Sequence, residues 1–126
     1  MSGMTTLLAV GGMGALGAVA RYLTVEWVAR WWRRPFPLAI FFINVLGAFL
    51  LGFLTTAFAA PSQLETRLAL GVGFLGGYTT FSTLSYETFA LARRGDIMYA
   101  WMNVGGSLLA GVVAAFLGLM LGLRFS

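Results

Sequence analysis

The sequence predicts an all-helical membrane protein: four transmembrane helices, with the third broken in mid-membrane, forming a single domain over residues 1–126. Three observations carry this. Hydrophobic residues make up 60% of the chain and charged residues 10%, against about 25% charged in an ordinary soluble domain. The apolar residues fall into four runs, each near the ~20 residues that a helix needs to cross the hydrocarbon core. Most of the eight arginines stand at the ends of those runs, where membrane proteins keep their anchoring charges.

The first run starts near Met4 and is free of charge through Ala20. It then meets Arg21, Glu26 and the cluster Arg30-Trp31-Trp32-Arg33-Arg34. A signal peptide would carry its positive charge ahead of the apolar run, so this run is expected to stay as a span. The second extends from Leu38 to Ala60, bracketed by Pro35, Pro37 and Pro61, boundary residues because proline cannot continue a helix. The third extends from about Leu68 to Ala92 and is ended by Arg93-Arg94-Gly95-Asp96. The fourth, Ile97 to about Leu123, is uncharged. Trp27, Trp31, Trp32 and Tyr99 suit the membrane–water interface.

Several function classes drop out. Cysteine and histidine are absent, which removes disulfides, thiol chemistry and histidine-based catalysis or metal binding. The four acids, Glu26, Glu65, Glu87 and Asp96, include no close pair for hydrolysis. The basic balance reads as membrane anchoring, with no nucleic acid as partner. Arg30, Arg33, Arg34, Arg93 and Arg94 fall on one side of the four-span arrangement, and Arg67 and Arg124 on the other. The positive-inside rule therefore favours the first and third loops in the cytoplasm.

Seventeen glycines in 126 residues are roughly double the average usage of ~7%. Gly11, Gly12, Gly14, Gly17, Gly47, Gly52, Gly111, Gly118 and Gly122 lie on the expected helices, where small residues let backbones approach. The stretch from Gly71 to Ser85 concentrates glycine, threonine and serine within a span. Gly76-Gly77 and Thr79-Thr80 are poor helix formers, so a break is expected here. At membrane depth, broken backbone must be buried in protein, line a wet cavity or hold an ion. Two readings follow: a kinked helix whose hydroxyls cap their own backbone, or carbonyls near Gly76 and Thr79 that converge on a hard cation such as Na⁺. A two-fold axis through the break would double the oxygens.

Other residues invite a role. Phe81, Leu84, Ser85 and Thr88 share a helical face; Phe81 is either packing or a positive ring edge for an anion. Asn44, alone in its span, is either interhelical glue or an amide donor. Asn103, Ser107 and Gly111 recur every four residues as a polar or open track. Arg21 and Glu87 lie deep enough to be functional candidates, unless each is simply ion-paired. Glu26 and Arg30 have the favourable i, i+4 spacing.

Gly76-Gly77-Tyr78-Thr79-Thr80-Phe81-Ser82-Thr83-Leu84-Ser85-Tyr86-Glu87 resembles the third-span signature of the Fluc (CrcB) fluoride channels. Gly14-Ala15-Leu16-Gly17-Ala18-Val19-Ala20-Arg21-Tyr22 and Asn44-Val45-Leu46-Gly47 resemble their first- and second-span motifs. The resemblance covers essentially the whole chain. It implies an antiparallel, dual-topology homodimer in a bacterial cell (inner) membrane, with two pores for fluoride. It also implies a central Na⁺, structural and not transported, on the carbonyls of Gly76 and Thr79 of both copies. By the same resemblance Asn44, Phe81 and Ser107 belong to the fluoride pathway, and Arg21 and Glu87 to its vestibules. Leu84 stands where the family has a second phenylalanine, Ile40 where it has a threonine, and Gly111 where it has a second track serine. Asn103 joins the pathway set by its place on the track. The function expected is a passive, fluoride-selective channel that lets cytoplasmic F⁻ leave, and no enzyme activity. The alternative is a small multidrug-type proton-coupled exporter. That class needs a membrane-embedded glutamate in its first span, and Glu26 lies towards the end of that span.

Overall fold

The structure, a computed structural model, describes residues 2–126. Helix α1 covers Gly3–Ala29, with Ser2 as its N-cap: the Ser2 hydroxyl accepts from the Thr5 N–H at 3.2 Å. It runs straight through Arg21, where the charge-free run ends. Helix α2 covers Leu38–Ala57, stopping three residues before the expected Ala60. The Arg67 guanidinium donates to the carbonyl of Phe58 and so closes the end of α2.

The third segment differs most from expectation. A 3₁₀ turn at Pro61–Gln63 leads into α3 (Leu64–Arg67), a π-helical stretch at Leu68–Leu75, and α4 (Gly76–Tyr78). Thr79 and Thr80 are extended, at φ −80°, ψ 159° and φ −153°, ψ 118°. Helix α5 (Phe81–Arg93) then resumes. The expected break is present: the glycine pair stays helical, and the chain opens at Thr79-Thr80. Helix α6 covers Ile97–Leu123, with the expected bounds. Between α5 and α6 the chain turns at Gly95, φ +92°. The Asp96 N–H bonds back to the Leu91 carbonyl (2.9 Å) and the Gly95 N–H to that of Ala92 (3.1 Å). This is the Schellman closure that glycine permits.

Among the described residues, three helices, α1, α2 and α6, are long and apolar enough to cross a membrane. At 1.5 Å per residue, 20 residues reach about 30 Å. The fourth expected span is present only as the interrupted helical segment from α3 to α5.

Glycine fixes how these rods pack. A Cβ on Gly17 would lie 2.1 Å from the Phe74 carbonyl oxygen, and one on Gly77 would lie 2.2 Å from that of Gly14. Helix α1 thus meets the first half of the third segment backbone to backbone. The α2–α6 crossing, the most extensive helix contact in the fold, is built the same way. A Cβ on Gly118 would lie 2.0 Å from the Phe49 oxygen, and one on Gly52 would lie 2.3 Å from the Ala115 oxygen. Gly11, Gly12 and Gly111 are different: nothing lies within 4 Å of a Cβ there, so the packing role expected of them is not met within the chain.

The connecting ends are aromatic. Trp27 and Trp31 meet edge to face at 5.5 Å, Trp32 Nε1 donates to the Phe36 carbonyl at 2.7 Å, and Phe36 lies 6.2 Å from Tyr99. The loops after α1 and after α5 thus share one end of the molecule with the five arginines Arg30, Arg33, Arg34, Arg93 and Arg94.

Candidate functional site: the broken helix and its two cavities

The break is held open by one long-range contact. In an unbroken helix the Thr80 N–H would bond the Gly76 carbonyl and the Thr83 N–H that of Thr79. Here the Thr80 N–H donates to Asn44 Oδ1 (2.9 Å), and the Thr83 N–H donates to the Thr80 hydroxyl (3.2 Å), which serves as N-cap of α5. Asn44 Nδ2 donates to the Thr80 carbonyl at 3.1 Å. One amide side chain thus satisfies both main-chain groups of Thr80, a buried residue. Part of the kinked-helix reading holds: the Thr79 hydroxyl bonds back to the Leu75 carbonyl (2.9 Å).

Helix α2 comes close at the same level. A Cβ on Gly47 would lie 2.2 Å from Thr79 Cγ2, so Gly47 is the slot that seats Thr79. On the other side, Tyr78 stacks on Phe74 and its hydroxyl lies 3.0 Å from that of Thr24 on α1. Tyr78 packs with Ile40 and Ile43 in the buried core, and Leu84 leans against this cluster.

Two cavities open at the break. One, about 280 Å³, is lined by Asn44, Gly47, Gly71, Leu75, Gly76 and Thr79. The other, about 480 Å³, is lined by Asn44, Thr79, Thr80, Phe81, Leu84 and Ser107 among others. Asn44, Phe81, Leu84 and Ser107, four of the five residues expected along an anion path, therefore share one wall. Phe81 is 81% exposed, so its ring is no part of this chain's core. Asn103 lines neither cavity: it is wholly buried, and its Nδ2 donates to the Thr88 hydroxyl at 2.9 Å.

Gly76 and Thr79, the expected cation ligands, do share a cavity, and their carbonyls are among those that the break deprives of helical partners. That donor set is neutral oxygen, and among the described residues no cluster of His, Cys, Asp or Glu accompanies it. Neutral main-chain oxygens suit a hard monovalent cation, so the residues fit Na⁺. Gly76 itself has room, since a Cβ there would meet only the Gly71 oxygen at 3.9 Å. Gly77 is the member of the pair that this chain's own packing holds to glycine.

Arg21 and Glu87 do not meet, and neither has an acidic or basic partner among the described residues. Glu87 lines a third cavity, of about 320 Å³, together with Arg34, Arg94, Trp32 and the first residues of α2. The Glu26–Arg30 pair does not form, and Glu26 is exposed. Arg94 instead pairs with Asp96 at 3.2 Å.

Sequence reasoning passed over Thr24, and it read Gly47 only as a packing glycine, without its partner Thr79. Thr80 was visible only as a poor helix former. Its capping role has a local signal, a threonine opening a helix; its contact with Asn44 has none.

Comparison with known proteins places these features in a family. The chain is 45% identical over 120 residues to the fluoride-specific ion channel FluC of Geobacter metallireducens, covering 93% of this chain and 96% of that one. It is 41% identical over 121 residues to the fluoride-specific ion channel FluC of Hydrogenovibrio crunogenus, covering 94% and 92%. It is 43% identical over 119 residues to the fluoride-specific ion channel FluC 1 of Listeria innocua, covering 94% and 98%. The family described as CrcB-like protein, Camphor Resistance (CrcB), matches residues 8–119, and the chain belongs to it.

Proposed function

We propose that this protein is a fluoride-selective channel, passive and electrogenic, that lets cytoplasmic F⁻ leave the cell. The observation that carries the proposal is the wall shared by Asn44, Phe81, Leu84 and Ser107 beside a broken helix, in a chain whose relatives are named fluoride-specific ion channels. Fluoride is small and strongly hydrated, so a path must return the hydrogen bonds that water gave it. Asn44 keeps one amide N–H beyond the one given to Thr80. Ser107 offers a hydroxyl, and its oxygen makes no hydrogen bond within the chain. Phe81 offers a positive ring edge. No fixed positive charge lines this cavity to trap the ion. HF crosses membranes as a neutral acid and ionises inside; the membrane potential then drives the anion outward at ~2.3 kcal/mol per 100 mV.

The working unit is an antiparallel pair of copies in a bacterial inner membrane. What supports this is the exposed Phe81, the room at Gly76 and the glycines Gly11, Gly12 and Gly111 that face nothing in their own chain. The carbonyls of Gly76 and Thr79 would hold a structural Na⁺, with the same two groups of the second copy completing its coordination. When bound, the ion supplies fixed positive charge that ties the two breaks together. The five-to-two split of arginines between the ends is a modest bias that still permits both insertions.

Purified protein in fluoride-loaded liposomes provides the test. Efflux should need a counter-ion shunt, should require no proton gradient or drug, and should far exceed chloride efflux. Equal rates for the two halides would refute the proposal.

A further inference from the structure

Among the described residues, three polar side-chain atoms are buried without a hydrogen bond to the chain: Glu87 Oε1, Asn103 Oδ1 and Ser107 Oγ. They stand on the contacting helices α5 and α6, and by helical register they form a sequence between two cavities. Ser107 lines the cavity of about 480 Å³ beside Leu84. Glu87, three residues on from Leu84, lines the cavity of about 320 Å³ near Arg34 and Arg94. Asn103 lies one turn from Ser107 on α6, and its partner Thr88 adjoins Glu87 on α5.

The orientation of the Asn103 amide is set by its neighbour. The Thr88 hydroxyl gives its single proton to the Leu84 carbonyl at 2.8 Å, so towards Asn103 it can only accept. Asn103 therefore presents Nδ2 to Thr88, at 2.9 Å, and Oδ1 is the atom left over in a residue that is 0% exposed. Buried polar atoms that lack a protein partner are satisfied by ordered water as a rule. An anion cannot satisfy this one, because both are acceptors. The matching group must donate to Oδ1, and a water molecule does so with a second proton to spare.

We propose that Asn103 holds a water molecule between the two cavities, and that fluoride passes this stretch on the water's proton rather than on the amide. This rests on the fluoride-channel reading and assigns to one residue how that path is bridged where Leu84 supplies no ring edge. Asn103 is then a positioning residue, and Thr88 is the group that fixes its orientation.

The chain has two asparagines, Asn44 and Asn103, so ¹⁵N labelling of asparagine yields two side-chain amide signals, and ¹⁵N labelling of isoleucine in the same sample reports the backbone of Ile43. In bilayers, water-edited solid-state NMR should transfer magnetisation from water to the Asn103 amide several times faster than to the backbone of Ile43, which is equally sealed at 0% exposure. Equal, slow transfer at both overturns the proposal. In liposomes, Asn103→Leu should lower fluoride efflux at least tenfold. Thr88→Val, which frees the amide to turn its N–H towards the ion, should lower the fluoride concentration at half-saturation as well as the maximum rate. Parent-like efflux from assembled Asn103→Leu also overturns it. A parent protein that passes no fluoride would instead refute the channel reading, while the NMR comparison would still decide whether Asn103 holds water.

Discussion

Asn44 commits its amide to both main-chain groups of Thr80, and this makes it as much a structural residue as a pore residue. Asn44→Ala should leave a buried N–H and carbonyl unmatched, at about 1–3 kcal/mol each. Asn44→Asp should keep the acceptor for the Thr80 N–H and lose only the donor. Thermal unfolding in detergent should therefore rank parent above Asp above Ala. Phe81 makes the opposite case. With 81% of it exposed, Phe81→Ile should leave the melting temperature nearly unchanged while slowing fluoride efflux by an order of magnitude or more. Leu84→Phe should be tolerated and efflux should match or exceed the parent, because the side chain borders a cavity of about 480 Å³ that has room for a ring. Asn44, Phe81 and Ser107 were legible as candidates because an amide, a ring and a hydroxyl are conspicuous in apolar spans, and Leu84 only because it stands where the family has a second phenylalanine. Their meeting on one wall was not, since it depends on how α2, α5 and α6 cross.

Among the elements, the broken third segment separates what composition reveals from what packing decides. Gly76-Gly77 and Thr79-Thr80 both looked able to break the helix, yet the glycine pair stays helical. Helix α1 presses directly on this turn, and glycine there serves contact rather than flexibility. The chain opens at Thr79-Thr80 because Asn44, 36 residues away, captures the Thr80 N–H. No local rule reports a contact of that range. The π-helical turns at Leu68–Leu75 were equally hidden, because an almost uniformly apolar stretch has no polar face from which to read a period. Glycine substitutions test this account. Gly77→Ala would bring a methyl to 2.2 Å from the Gly14 oxygen and should destabilise the protein by about 1–3 kcal/mol, as overpacking does. Gly76→Ala should fold normally as a single chain. Any loss of assembly in that variant, measured by subunit-exchange fluorescence, would then report contact with a second copy.

For the whole molecule, the four-run pattern and the ends of α6 were legible because length and hydropathy suffice to set them; the end of α2, three residues short of Ala60, and the two tight glycine pairings were not. Assembly gives the remaining prediction. If Na⁺ on Gly76 and Thr79 ties two copies together, replacing it with a bulky organic cation should speed subunit exchange several-fold, and restoring Na⁺ should reverse the effect. An exchange rate indifferent to the cation would leave the carbonyls as mere helix ends. Cysteine labelling at an introduced N-terminal residue should reach both faces of the membrane; one-sided labelling would fix a single orientation.

The α2–α6 crossing has a consequence for how the protein is made. Its glycines meet backbone across a wide sequence gap, for the whole third segment leaves the ribosome between α2 and α6. Until α6 is inserted, Gly52 has no Ala115 to receive it, and Phe49 and Phe53 lack the groove cut by Gly118 and Gly122. The early helices must therefore wait in the bilayer with an unfilled seam. Insertion of α6 then closes this seam, so the newborn chain is most vulnerable to quality-control proteases just before α6 arrives.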